Sequence, residues 1–271
     1  MSRRQGGFAL LIVMWSLALL ALLATQLTSA ARSELQVAAN IRTAAVLEAQ
    51  TDGLVYGGIF RLMSGSPAQR GVDGLDHVLA VPGGQAVIRV TSLAGKVNPN
   101  TASEPLLTAL LQQVGMAEKP AAALAAAIAD WHTPGPRARA LGAKAAQYRA
   151  AGRSYAPPGA PFESIAELGQ VLGMTPDVLA RLSPHMSLFY PGDPVRAAAD
   201  PVVLRVLQTF GVENDDTPAE GPAEDGVYAE IAVRVMRADG SAFSRRAIAW
   251  AGHGPQRGRY LVLGWDAPPQ S

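Results

Sequence analysis

Apolar and polar positions alternate differently in different parts of the chain. From Phe8 to Ala24 the residues are apolar apart from Ser16, and no Asp, Glu, Lys or Arg occurs between Arg4 and Arg32. As a helix, Phe8 to Ala31 reaches about 36 Å, enough for a hydrocarbon layer of about 30 Å. Beyond it Leu35, Ala38, Ile41, Ala45, Ala49, Gly53 and Tyr56 recur at steps of three and four. That is one stripe of a helix, with Arg32, Glu34, Arg42, Glu48 and Asp52 mostly off it. Unbroken from Phe8 to Met63, such a helix is about 84 Å long, half in lipid and half backing a soluble domain. Gly53, Gly57 and Gly58 weaken its end, at about 1 kcal/mol each against Ala, or let a sheet approach closely.

Ser64 to Gly84 is rich in Gly and Pro and reads as a loop. Gln85 to Leu93 alternates, with Ala86, Ile88 and Val90 on one face, and predicts a strand. From Asn98 to Met186 the period turns helical. Thr101-Ala102-Ser103-Glu104 reads as a capping box, with Pro105 in the first turn and an apolar face at Leu106, Leu107, Leu110, Leu111 and Val114. Pro120 opens an Ala-rich helix that ends near Trp131, and Ala138 to Ala151 predicts another. Ser164 and Glu167 cap a short helix that Gly173 ends, and Thr175-Pro176 open the next. After a linker, Val227, Ala229, Ile231, Val233 and Val235 alternate, Asp239-Gly240 signals a hairpin, and strands follow over Phe243 to Trp250 and Tyr260 to Trp265. The prediction is an α+β chain: a long N-terminal transmembrane helix, an antiparallel sheet of about four strands, and a large inserted all-α domain. Its segments are a leader at 1–7, a transmembrane helix at 8–31, a helix and first strand at 32–97, the insert at 98–186 and the rest of the sheet at 187–271.

Composition narrows the chemistry. The net charge is +1, so nothing global argues for nucleic acid or an acidic partner. With no cysteine there is no disulfide framework, thiol catalysis or cysteine-held zinc. His77, His132, His185 and His253 lack metal-ligand spacing. No Gly-x-Ser-x-Gly, His-Glu-x-x-His, phosphate loop or dinucleotide fingerprint occurs. No catalytic residue and no metal ligand is assigned, and no enzyme activity is expected.

The N-terminal segment admits three readings. A removable secretory signal would end at Thr28-Ser29-Ala30, but the apolar run exceeds the roughly 7–15 residues of a signal core. A plain anchor explains the hydrophobicity alone. The third reading accounts for the junction Arg3-Arg4-Gln5-Gly6-Gly7-Phe8, which resembles a type IV pilin-like leader cut between Gly7 and Phe8. The Arg pair keeps the start cytoplasmic and the rest crosses.

The whole order of features resembles the K-type minor pseudopilin of type II secretion systems. Asn98-Pro99-Asn100-Thr101-Ala102 is similar to that family's N-x-N-T-A entry to the insert, and Ile128-Ala129-Asp130-Trp131 to its I-x-D-W helix end. Tyr155, Phe162, Glu167-Leu168, Val171 and Gly173-Met174-Thr175 are similar to its Y…P-F…E-L…V-x-G-M-T stretch. Most pilin-like proteins carry Glu five residues after the cut, where this chain has Ile12. The K type is similar in lacking it. A carboxylate in the bilayer costs several kcal/mol unless paired, and in the other subunits it is thought to meet a neighbour's terminal amine. The resemblance therefore implies a subunit at the tip of a periplasmic pseudopilus, anchored in the inner membrane, processed and methylated at Phe8. Its implied partners are the I-type and J-type minor pseudopilins, the major pseudopilin, the prepilin peptidase and the inner-membrane secretion platform, with secreted cargo as a further contact.

The chain departs from that pattern at one place. The family's acidic stretch after Asp-Trp, believed to bind calcium, is missing: from Trp131 to Phe162 there is no Asp or Glu, but there are Arg137, Arg139, Lys144, Arg149 and Arg153. No cofactor is expected, and calcium enters from the resemblance alone. Glu213 to Asp225 is acidic, read as a solvated loop or as a partner of that basic stretch. The alternative function is a membrane-anchored helix-hairpin-helix DNA-binding protein. Against it, the hairpin Gly173-Met174-Thr175-Pro176 loses an amide at Pro176 and has only Arg181 nearby, so no nucleic-acid partner is expected.

Overall fold

The computed structural model describes residues 6–64, 71–209, 226–253 and 256–266; Arg3, Arg4 and the acidic segment 213–225 lie outside them. The first element, α1 (Gly6–Ser64), is a single helix of 59 residues, about 88 Å at 1.5 Å per residue. Among the described residues no helix is long and apolar enough to cross a membrane. The expected span 8–31 takes in positions 8, 9, 24 and 26–31, whose side chains fall outside the described residues. Within it, eleven large apolar side chains from Leu10 to Leu23 stand more than half exposed on every side of the helix.

The C-terminal third of α1 lies on a sheet. Leu47, Thr51, Val55, Ile59 and Leu62 recur at steps of four, four, four and three and are all buried. This row corrects the expected stripe, since Leu35, Ala38, Ile41, Ala45, Ala49, Gly53 and Tyr56 are all exposed. In a helix so rich in Ala and Leu, several rows satisfy the helical period, and the partner selects one. The selection is visible at Glu48 and Asp52. Both reach Arg245 of the sheet, whose Nη2 and Nε donate to Glu48 Oε1 and Asp52 Oδ1 at 2.7 Å each. Arg245 is itself 8% exposed and lies over the rings of Phe243 and Trp265. Of the three glycines, Gly58 is the one pressed on the sheet: a Cβ there would stand 3.2 Å from Ile231, whereas Gly53 and Gly57 face open space.

Among the described residues the sheet has five antiparallel strands in the order β1 (Asp76–Val81), β2 (Gly84–Ser92), β3 (Gly226–Arg237), β4 (Ala242–Gly252) and β5 (Tyr260–Asp266). About four were expected. The additional strand is β1, in the segment read as a loop. As an edge strand it buries no residue, so burial imposes no alternation on its sequence. Pro82-Gly83 joins Val81 to Gly84, with Gly83 at φ 81°, a Pro-Gly tight turn inside the segment read as a loop. The inner face of the sheet presents Ala86, Val90, Ala229, Ile231, Val233, Val235, Ala247, Ala249 and Ala251 to α1, and the small residues let the helix approach.

β2 and β3 are paired neighbours, yet the chain leaves after Ser92 and returns only at Gly226. The excursion folds as helices α2 (Glu104–Gln113), α3 (Glu118–His132), α4 (Ala145–Ala150), α5 (Pro176–Leu182) and α6 (Pro201–Thr209) around a second core. Several expectations shift here. The α2 cap is Ser103, whose Oγ accepts from the Leu106 N–H at 3.4 Å, while Thr101 belongs to a turn in which its N–H donates to Asn98 O. The helix expected over Ala138 to Ala151 shortens to α4, because Leu141 adopts φ 64° and breaks the helical path. Ser164 makes no side-chain cap, and a 3₁₀ segment, Ile165–Gln170, follows it. Thr175 caps α5 as expected. α6 lies where a linker was read. Asp200 Oδ1 accepts from the amides of Val202 and Val203 at 2.8 and 3.1 Å, and Val203, Val206 and Leu207 join the helical core. The helical unit therefore runs past 186 to Thr209.

Candidate functional site

The residues singled out by the sequence gather in two places in the insert, its neck and its crown. At the neck, Val97 pairs with the segment at Met186: Val97 N–H donates to His185 O at 2.9 Å and Ser187 N–H to Val97 O at 3.0 Å. Asn98 then does with its side chain what a strand does with its backbone. Its Nδ2 donates to Leu188 O and Tyr190 O at 3.2 and 2.9 Å, and its Oδ1 accepts from Asn100 N–H. Asn100 repeats the device, exchanging two hydrogen bonds with the backbone of Phe162 at 3.1 and 2.7 Å. Two amides two residues apart thus tie the entry of the insert to its exit and to its crown. An apolar residue at either position would leave these backbone groups without their partners, at a cost because buried backbone groups must be paired. Gly95 completes the neck, since a Cβ there would lie 1.9 Å from Ala198 O.

The crown forms at the C-terminus of α3, where helix geometry leaves carbonyls without partners. Those of Ala129, Asp130 and Trp131, and that of Thr133 just beyond, are met by groups from the residues that follow. Ala129 O accepts from Thr133 Oγ1 at 2.7 Å, Trp131 O accepts from Gly159 N–H at 3.0 Å, and Asp130 O and Thr133 O both accept from Lys144 Nζ. The Asp130 carboxylate, 1% exposed, accepts from the Arg139 N–H at 3.1 Å and faces its guanidinium at 3.5 Å. Arg139 also pairs with Glu104 of α2. Gly142 passes so close that a Cβ would stand 2.2 Å from Asp130 Oδ2. Burial, with Arg139 and Lys144 nearby, lowers the pKa of His132.

Trp131 is the hub of an aromatic cluster. It stacks on Phe162 with centroids 5.8 Å apart and planes 8° apart, and meets Tyr148 and Tyr155 at 6.2 and 6.5 Å. Its indole N–H finds no acceptor among the described residues. Tyr155 Oη donates to Gln170 O, and Tyr148 Oη accepts from the Leu172 N–H at 2.9 Å. Burial pushes the Tyr148 phenol up to about 12. Leu168 is fully buried beneath this cluster, Glu167 accepts from the Glu163 N–H, and Gly173 turns the chain at φ 94°. Asn100, Asp130, Trp131, Tyr155, Phe162, Glu167, Leu168 and Gly173 are thus one structural unit, with Asn98 at its root and Thr101 exposed beside it. A groove of about 870 Å³ opens between α2, α3 and the 139–141 loop, lined by Glu104, Ala126, His132, Arg139 and Leu141 among others.

Sequence reasoning missed Lys144, Arg139, Gly142 and Tyr148, which it passed over within a basic stretch. Nothing in their spacing marks them; only the returning loop brings them to Asp130. The remaining residues lie far off, on α1. Gly7 and Phe8 fall at its start, and Ile12 is 52% exposed, its carbonyl accepting from Ser16 Oγ.

Residues 87–191, from β2 through α5 to the exit of the neck, match the family described as type II secretion system (T2SS), protein K. Among solved structures the fold is similar to a chain of the crystal structure of the GspK-GspI-GspJ complex from the enterotoxigenic Escherichia coli type 2 secretion system. The TM-score is 0.63 at 15% identity, over 88% of this chain and 100% of that one. No curated protein matches.

Proposed function

We propose that this chain, a K-type minor pseudopilin of the type II secretion system, stands at the tip of a periplasmic pseudopilus as a structural, non-enzymatic subunit. The observation that carries this reading is the neck. It mounts a helical unit with the protein K signature on a helix-and-sheet body, between two strands that would otherwise be joined by a short turn.

The body supports assembly through α1. A helix that is apolar all round, as α1 is from Leu10 to Leu23, is stable only when buried in other protein or in lipid. We read this part as the inner-membrane anchor. Further along, Leu35, Val37, Ile41 and Val46 remain 40–71% exposed and suit packing against the helices of neighbouring pseudopilins. A solved structure of similar fold is a complex of GspK with GspI and GspJ. By analogy the I-type and J-type subunits are the proposed neighbours here, with the major pseudopilin below them.

Ile12 fits the tip. It offers no carboxylate to the amine of a subunit placed above. Processing by a prepilin peptidase between Gly7 and Phe8, and methylation of Phe8, follow from the leader. Of the bases near the α5 hairpin, Arg181 is committed to Val114 O and the Asp177 carboxylate, which weighs against the DNA-binding alternative. Intact mass and N-terminal peptide analysis of protein recovered from membranes tests the reading. A start at methylated Phe8 is expected, and a start near Ala31 overturns it.

A further inference from the structure

We infer that Lys144 is a built-in cation: its ammonium closes the C-terminal end of α3 where the family resemblance implies calcium, and a calcium ion does not fit beside it. Lys144 is misplaced for its own helix. It occupies the N-cap of α4, a position that favours a side-chain acceptor, yet lysine has only donors. The α4 cap is instead supplied by Gln147, whose Oε1 accepts from the Lys144 N–H at 3.0 Å. What the side chain does is reach back to α3. It is 4% exposed, and its Nζ donates to Asp130 O and Thr133 O. Those carbonyls carry the negative end of the α3 dipole, where a cation is favoured.

The donors that remain do not make a calcium site. Calcium takes about six to eight oxygens at about 2.3–2.6 Å. Here two carbonyls are occupied by the ammonium. Of the nearby carboxylates, Asp130 is occupied by the amide and guanidinium of Arg139 and is walled by Gly142, and Glu104 is paired with the same guanidinium. No other Asp or Glu lies between Trp131 and Phe162. A divalent ion would have to displace Lys144 and then sit against Arg139. The ion is therefore replaced by a side chain of the same loop, and the crown closes without any external ligand.

The experiment uses the full chain in detergent, in two arms. The chain has three lysines, Lys96, Lys119 and Lys144, of which Lys119 is exposed. Under limited acetylation read by peptide mass spectrometry, Lys144 is expected to react on the order of a hundredfold more slowly than Lys119, becoming equal only on unfolding. Equal rates in the folded protein overturn the inference, and this arm needs no variant. In the second arm, millimolar calcium or a chelator is expected to move the wild-type Tm by less than about 1 °C, while Lys144→Met lowers it by roughly 5 °C or more. A rise of several degrees with calcium in the wild type, or a Lys144→Met protein as stable as wild type, overturns it.

Discussion

At the scale of single residues, the neck and the crown rest on side chains that imitate backbone. Asn98 is buried and saturates the carbonyls of Leu188 and Tyr190. Asn98→Ala removes both donors and leaves two carbonyls and an amide to find new partners. Leaving a buried group unpaired costs about 1–3 kcal/mol, so the expected loss is about 2–4 kcal/mol in denaturant unfolding. Tyr148 makes a second, pH-dependent prediction. Burial holds its phenol at about 12, above the ordinary value of 10.0. Its neutral form is favoured in the folded protein, so its contribution is whole below pH 10 and is lost as pH rises towards 12. Denaturation midpoints followed from neutral to alkaline pH are expected to fall across that window, and less steeply in Tyr148→Phe.

At the scale of elements, the same period supports different outcomes according to what lies opposite. The row Leu47, Thr51, Val55, Ile59 and Leu62 on α1 is buried because the alanines of β3 and β4 admit it. The equally regular row from Leu35 to Tyr56 is exposed. Arg245 is the pin between helix and sheet. Its carboxylate partners are partly in water, with side-chain exposures of 53% for Glu48 and 29% for Asp52. Arg245→Met is therefore expected to cost a moderate amount, about 1–3 kcal/mol, since the carboxylates can rehydrate. Amide exchange in the 47–62 part of α1 is expected to accelerate more than exchange in α2 or α3. Uniform acceleration would mean that Arg245 acts on global stability and not on this contact.

At the scale of the whole molecule, two cores are joined through a narrow neck. One lies under α1 and the sheet, the other inside the helical insert. Because β2 and β3 pair independently of the insert, the body has the hydrogen bonds it needs without it. A deletion ending at Met186 would leave α6 with a bare apolar face at Val203, Val206 and Leu207. One that removes 94–209 and rejoins the neighbouring strands respects the second core. In cells lacking the native gene, such a protein is expected to reach the membrane and to fail in secretion. Wild-type secretion with the insert gone would sink the proposed tip role.

Much was legible from the sequence alone. The long N-terminal helix, the β2–β5 alternation, the Thr175 cap and the motifs of the insert all arise from local period, turn chemistry or order along the chain. The resemblance to protein K rests on that order. What the tertiary structure decided was choice among local equals. It chose which row of α1 is buried and which residue caps α2. It made an edge strand of 76–81, where no burial pattern could form, and joined α6 to the helical core. It also drew Lys144, Gly142 and Arg139 to Asp130 across a loop with no period at all. Patterns written in one dimension report contacts within an element, whereas these contacts form only when distant segments meet, so their chemistry appears only once the chain has folded back.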